Sequence, residues 1–141
     1  DLLEILKETG LKPVPGDIEE FVDKTCVLPA LDPKTSIRAD FIFSFTPYET
    51  AAIKRARKIK MGKERILFAS PEDIIVHKIF AGRTRDMEDI KTILLKNKTL
   101  DAAYIKKCLS EFDLTFPEKN FLKTFCANYN SNFHEHGRHK L

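Results

Sequence analysis

The spacing of apolar and polar residues divides the chain into an α/β front half and a helical back half. Helical spacing and helix start and stop residues predict helices over residues 1–9, 17–24, 48–56, 70–81, 84–96, 101–112 and 117–129. Short apolar or alternating runs predict strands over residues 26–31, 37–45, 58–61 and 65–69. This order is typical of an α+β fold with a helical extension.

The strongest strand signal lies in residues 37–45, where apolar and polar side chains alternate. Turn-forming residues 32–35 separate this run from the apolar run 26–31, so the two are predicted to form an antiparallel hairpin. Asp40 falls on the strand face opposite Phe41, where it should meet open space or a cleft.

Asp40 is unusual in this strand, because aspartate is disfavoured in β-structure. A carboxylate held on a sheet suits a rigid metal ligand or a general base. Arg38 lies two residues away on the same face, so a solvent-facing ion pair also explains the residue. The ion pair is the commoner arrangement, and the residues alone leave both interpretations open.

The helix predicted over residues 70–81 has clear ends, with Ser70-Pro71 at its start and Gly82 at its stop. Lys78 lies inside or beside its apolar face, whereas Asp73 and His77 are predicted on the solvent side. We expect Lys78 either to extend its amine to water or to hold an anion in a cleft.

Asp86 is the sharpest departure from the pattern, because it lies at the centre of the apolar stripe of the next helix, with Asp89 at the edge. A buried carboxylate without a partner is unfavourable, so Asp86 requires a cation. Arg83 and Arg85 lie in the same turn, and a short link makes the preceding helix a neighbour. Asp86 is therefore expected to pair with Lys78 directly or with one of these arginines.

Positive charge is concentrated in one segment. The chain has 24 Lys and Arg against 21 Asp and Glu, which excludes a histone-like composition. Seven of these cations lie within residues 54–65, namely Lys54, Arg55, Arg57, Lys58, Lys60, Lys63 and Arg65. We expect this basic run to bind polyphosphate or RNA weakly, with a steep salt dependence. A solvated edge between a helix and a strand is an equal alternative.

The three cysteines are widely spaced and form no Cys-x-x-Cys pair, which favours a reducing, cytoplasmic compartment. No run approaches the roughly 20 apolar residues of a membrane helix, and no signal peptide is recognisable. His134, His136 and His139 lack the spacing of a zinc motif, and a frayed tail is expected from Asn130.

Residues 70–90 resemble the signature of AbiEii-like nucleotidyltransferases, a family of the polymerase-beta-type nucleotidyltransferase superfamily. The shared pattern is a Ser-Pro-Glu-Asp helix start, a lysine at Lys78, a Gly-Arg link, and an Asp-x-x-Asp formed by Asp86 and Asp89. Residues 38–43 are similar to the strand that carries the third metal-binding carboxylate of the superfamily. The resemblance covers roughly residues 1–97.

The resemblance implies transfer of a nucleoside monophosphate from a nucleoside triphosphate to a hydroxyl acceptor, either RNA or protein, with Mg²⁺ or Mn²⁺. It implies that Asp40 is catalytic and binds metal. It implies a nucleotide site formed or bordered by Lys78, Arg83, Arg85, Asp86 and Asp89. It also implies a partial mixed sheet with helices on one face over residues 1–97, and a helical extension with a frayed tail over 98–141.

The Gly-Ser loop and Asp-x-Asp strand of the family are not found in these residues. We therefore expect an N-terminally incomplete fragment, inactive by itself, and the lack of an initiator Met supports that expectation. Two other functions stay open. One is a non-catalytic nucleotide- or RNA-binding member, part of a toxin–antitoxin pair with a protein partner. The other is a helical scaffold without a nucleotide role. It requires a separate structural explanation for each of Asp40, Lys78 and Asp86.

Overall fold

The computed structural model describes the backbone of residues 1–136 and the side chains of residues 1–131. The side chains of the three C-terminal histidines lie outside the described residues. The helices are α1 (Leu2–Thr9), α2 (Ile18–Thr25), α3 (Pro47–Arg55), α4 (Pro71–Ala81), α5 (Thr84–Lys96), α6 (Ala102–Thr115) and α7 (Phe121–His136). The strands are β1 (Lys12–Pro13), β2 (Val27–Leu31), β3 (Arg38–Ile42), β4 (Arg57–Met61) and β5 (Glu64–Phe68). The predicted α+β class is confirmed.

The chain forms two compact units, Asp1–Thr50 and Ala51–Leu141, and the boundary falls within α3. The helices α4 to α7 all belong to the second unit. The separate prediction of a core over residues 1–97 and an extension over 98–141 stays a prediction.

The first unit is built on a three-stranded antiparallel sheet in the order β1-β2-β3. Its buried core consists of Leu6, Leu28 and Ala30, with Ile18 and Val22 of α2 packed against it. The sheet is antiparallel, so the expectation of a mixed sheet is wrong. A turn of a few residues joins β2 to β3, whereas two parallel strands need a long crossover connection. β1 was not predicted, since its two residues are too few to show a pattern.

β3 is shorter than the predicted strand over residues 37–45, and it ends at Ile42. Ile42 pairs with Val27, the first residue of β2, so no partner strand extends beyond this point. Thr46 and Glu49 then form a capping box in which each side chain accepts a hydrogen bond from the backbone N–H of the other residue. The alternating pattern of residues 43–45 was therefore a false strand signal.

The second unit combines the antiparallel hairpin β4–β5 with the helices α4 to α7. Gly62, with φ of +62°, makes the hairpin turn. The helices enclose a core of Ile75, Val76, Ile79, Ile90, Leu94, Ile105, Leu109, Phe121 and Phe125. Phe80 packs its ring against Phe112 and Phe121 at centroid distances of 5.1 and 5.4 Å, which joins α4 to α6 and α7.

The C-terminal helix α7 continues to His136, past the predicted end at Tyr129 and into the segment from Asn130 for which a frayed tail was expected. Its sequence is polar in this region, so the polarity did not mark the end of the helix. Among the described helices, none combines the length and apolar character that crossing a membrane requires.

Candidate functional site

The two ends of α4 fix the geometry of the candidate site. Ser70 caps the helix by accepting a hydrogen bond from the Asp73 N–H at 3.1 Å, and Pro71 follows in the first turn. At the other end, Gly82 adopts φ of +64° and donates its N–H to the Lys78 carbonyl at 3.0 Å. Because α4 ends here, Lys78 lies in its last turn, and α5 begins two residues after Gly82.

Lys78 forms an ion-pair triad with two acids of α5. Its Nζ donates to Asp86 Oδ1 at 3.1 Å and to Asp89 Oδ2 at 2.6 Å. The spacing of three residues places both carboxylates on one side of the helix. The predicted direct pairing of Lys78 with Asp86 is confirmed.

The half-buried Lys78 and the buried Asp86 are both held in their charged forms. The hydrogen bond that Lys78 donates to Asp89 raises the pKa of the Lys78 amine above its usual value, against the opposing effect of burial. The hydrogen bond from Lys78 in turn lowers the pKa of the Asp86 carboxyl. The ion pair between Lys78 and Asp86 is therefore maintained near neutral pH.

Two arginines, Arg83 and Arg85, lie just before Asp86 in the chain. The second oxygen of Asp86, Oδ2, is buried without a hydrogen bond among the described residues, and Arg83 Nε lies 3.9 Å from it. The Arg83 side chain is 80% exposed. Arg85 is also exposed, and no carboxylate of the described residues lies within ion-pair distance of it. Of the two arginines, Arg85 is therefore the one without an acidic partner among the described residues.

Asp40 faces solvent, as the strand pattern predicted. Its side chain is 44% exposed, and Oδ1 accepts a hydrogen bond from Arg38 Nε at 2.8 Å. Arg38 is the partner expected for the simple ion-pair alternative. Asp40 belongs to the first unit, and the triad belongs to the second.

The described residues do not make up a metal centre. They contain no group of three His, Cys, Asp or Glu side chains that could hold a metal ion. Asp40 is paired with Arg38, and the two acids of the triad are paired with Lys78. A single carboxylate such as Asp40 supplies only one oxygen ligand, so the described residues do not fit a metal ion by themselves and no metal-dependent step follows from them.

Asp73 was predicted on the solvent side of α4, and that prediction is wrong. The residue is fully buried. Tyr104 of α6 donates its hydroxyl to Asp73 Oδ1 at 2.7 Å, and Ser70 and Arg55 donate to Oδ2. Burial, followed by the bond to Asp73, raises the pKa of the Tyr104 hydroxyl. The helical wheel of α4 could not reveal this contact, because α6 supplies it from 31 residues away.

Glu72 is the second buried acid that the sequence did not indicate. Its Oε1 accepts from the backbone N–H of Asp101 at 3.2 Å, and Arg57 lies 3.6 Å from Oε2. Arg55, which pairs with Asp73, also lies over the Tyr104 ring at 3.8 Å. Two cations of the basic run therefore hold the second unit together. The sequence does contain a signal for these contacts: two adjacent acids, Glu72 and Asp73, follow a basic run that includes Arg55 and Arg57.

A family model supports the functional interpretation. The family described as "Nucleotidyltransferase of unknown function (DUF6036)" matches residues 40–136, which is more than half of the chain. No curated protein and no solved structure matches the chain at a significant level. The matched segment begins at Asp40 and includes the triad and the buried acids.

Proposed function

The chain belongs to this nucleotidyltransferase family, and on that premise we propose that it transfers a nucleoside monophosphate from a nucleoside triphosphate to a hydroxyl acceptor. The match over residues 40–136 is the observation that carries the proposal, because it covers all the candidate site residues. The resemblance of residues 70–90 to AbiEii-like enzymes supports the same reaction class. The acceptor is RNA or a protein hydroxyl.

We assign the triphosphate to the cations at the junction of α4 and α5. Arg85 is exposed and has no acidic partner among the described residues, and Arg83 is held loosely by Asp86 at 3.9 Å. Lys78 is held by two carboxylates, so contact with a phosphate requires its amine to be shared with or released from them. Asp86 and Asp89 position Lys78 and Arg83 for this contact.

Asp40 is proposed as the catalytic carboxylate, acting beside the acceptor hydroxyl. Mg²⁺ or Mn²⁺ is the proposed cofactor, since the reaction class uses a cation to stabilise the charge on the transferring phosphate. Asp40 would supply one oxygen ligand, and the described residues do not supply a full set. Binding of Mn²⁺ followed by electron paramagnetic resonance, with and without Asp40→Asn, tests this assignment independently of activity.

The nucleotide site is tested by thermal melts of the full-length protein with each nucleoside triphosphate and Mg²⁺. We expect nucleotide to raise the melting temperature of the wild type, and Arg85→Gln and Lys78→Ala to reduce that rise by at least half. Lys91→Gln is the matched control, because Lys91 is an exposed cation of α5 outside the candidate site. A full nucleotide-induced rise in both site variants would show that these cations do not bind phosphate.

A non-catalytic nucleotide- or RNA-binding member, acting within a toxin–antitoxin pair, is the second candidate. The ion pair of Asp40 with Arg38 favours it, because it occupies one oxygen of the proposed catalytic carboxylate. Nucleotide-induced stabilisation without any transfer to an acceptor would select this candidate.

A further inference from the structure

The basic run is divided by the structure into two groups with different surroundings. Arg55 and Arg57 pair with the buried acids Asp73 and Glu72. The other five cations, Lys54, Lys58, Lys60, Lys63 and Arg65, are exposed. The binding capacity predicted for the whole run therefore rests on this second group.

The register of the hairpin places three of these cations on one face. Lys60 lies directly opposite Arg65, and Lys58 lies opposite Leu67. Because side chains alternate along a strand, Lys58, Lys60 and Arg65 share a face, and we refer to them as the basic hairpin face. The only acid of the hairpin, Glu64, pairs with Met61 and lies on the other face.

The basic hairpin face contains an unfavourable cross-strand pair. Side chains directly opposite each other have Cβ atoms about 5 Å apart, and like charges at this distance destabilise a hairpin. No carboxylate of the described residues lies within ion-pair distance of Lys58, Lys60 or Arg65 to relieve the repulsion. An anionic ligand would supply the missing neutralisation.

The form of this surface favours a linear polyanion. Lys58 and Lys60 are separated by about 7 Å along an exposed strand, and every residue of β4 and β5 is exposed. A row of cations on an open strand surface can follow successive phosphates of a chain, whereas a single triphosphate is better held by converging groups. We propose that the basic hairpin face binds the phosphodiester backbone of single-stranded RNA, which deepens the proposed function by giving its RNA acceptor a docking surface.

The test is fluorescence anisotropy of a labelled single-stranded oligoribonucleotide at several salt concentrations. Three phosphate contacts predict a slope of log K against log salt of about −2, because each contact with a single strand contributes about −0.7. The triple variant Lys58→Gln/Lys60→Gln/Arg65→Gln should lose at least tenfold in affinity at low salt and nearly all of this slope. A far-UV circular dichroism melt should show an unchanged fold, since the three side chains are exposed.

A matched triple variant controls for net charge. Lys91, Lys106 and Lys107 are exposed cations on α5 and α6, and their replacement by Gln removes the same charge from the same unit. This control should bind RNA within twofold of the wild type. Equal losses in the two triple variants, or wild-type binding that does not depend on salt, would overturn the proposal.

The outcome separates this inference from the proposed function. The hairpin variant should keep the full nucleotide-induced rise in melting temperature, because its substitutions lie outside the triad and its arginines. Loss of that rise in the hairpin variant would show that the cations bind the triphosphate and would refute the RNA surface. Hairpin-dependent RNA binding by a protein that transfers no nucleotide would refute the proposed function and leave the surface standing.

Discussion

Asp73 belongs to the Ser-Pro-Glu-Asp helix start that resembles the AbiEii-like signature, but its contacts stabilise the fold. Its carboxylate accepts hydrogen bonds from Ser70, Arg55 and Tyr104, and it is fully buried. A buried carboxylate is tolerated when charged and polar donors surround it. The network ties α3 and α6 to the start of α4. We therefore assign Asp73 a structural role and not a place in the nucleotide site.

The Tyr104 hydroxyl gives a direct test of this network. Tyr104→Phe keeps the ring under Arg55 but removes one donor from Asp73, so it should reduce the free energy of unfolding by about 1–3 kcal/mol. Urea unfolding of Tyr104→Phe, Asp73→Asn and the double variant forms a double-mutant cycle. The two changes should be strongly non-additive, and an unaltered stability of Tyr104→Phe would contradict the assigned role.

The triad predicts a specific pH dependence of stability. The pKa of Asp86 is lowered from 3.8, so its contribution to stability is present above this value and disappears as the pH falls through the lower folded pKa. The pKa of Lys78 is raised from 10.5, so its contribution is present below this value and disappears as the pH rises through the higher folded pKa.

Asp86→Asn should therefore lower the melting temperature by a constant amount between about pH 5 and pH 9. The difference from the wild type should shrink below about pH 3.8, where the unfolded carboxyl is protonated. Asp23→Asn, which changes an exposed acid of α2, is the control and should give no difference at any pH. A difference that persists unchanged into strong acid would show that the ion pair does not stabilise the fold.

At the scale of the elements, the junction between α4 and α5 determines the site. Gly82 turns the chain with a positive φ, and α5 begins two residues later, so the last turn of α4 lies beside the first turn of α5. α5 begins at Thr84, and Arg83 holds its N-cap position without a side-chain capping bond. The short link thus places Lys78 within reach of both acids.

The left-handed conformation of Gly82 makes this link sensitive to substitution. An added Cβ would meet no close atom, since its nearest neighbour is the Ile79 carbonyl at 3.8 Å, but the conformation itself is unfavourable for alanine. Gly82→Ala should lower the free energy of unfolding by about 1 kcal/mol. Gly16→Ala is the matched control, because Gly16 lacks a positive φ and has open space around it. Equal effects of the two substitutions on urea unfolding would contradict this explanation.

The elements differ in how far their sequences predict them. The bounds of α4 are predicted in full, because Ser70, Pro71 and Gly82 act within the helix itself. The end of β3 is not, because it depends on where β2 stops providing hydrogen-bond partners. The pairing of Lys78 with Asp86 was predictable from a short link, whereas the burial of Asp73 depends on the distant α6. Local signals thus predicted the contact of Lys78 with Asp86, but they did not predict its shorter contact with Asp89.

At the scale of the whole molecule, the candidate residues are divided between two units. Asp40 lies on the sheet of the first unit, and the cations proposed for the triphosphate lie in the second. The family match spans both, since it runs from residue 40 to residue 136. The proposed function therefore requires a contribution from each unit, Asp40 from the first and Arg85 from the second.

Label transfer tests this requirement most directly. The full-length protein is incubated with Mg²⁺, each α-phosphate-labelled nucleoside triphosphate, and either total RNA or protein, and the labelled acceptor is resolved on a denaturing gel. We expect label on an acceptor with the wild type, none with Asp40→Asn at an unchanged melting temperature, and a strong reduction with Arg85→Gln. Undiminished transfer by Asp40→Asn, or no transfer by the wild type to any RNA or protein acceptor, would contradict it.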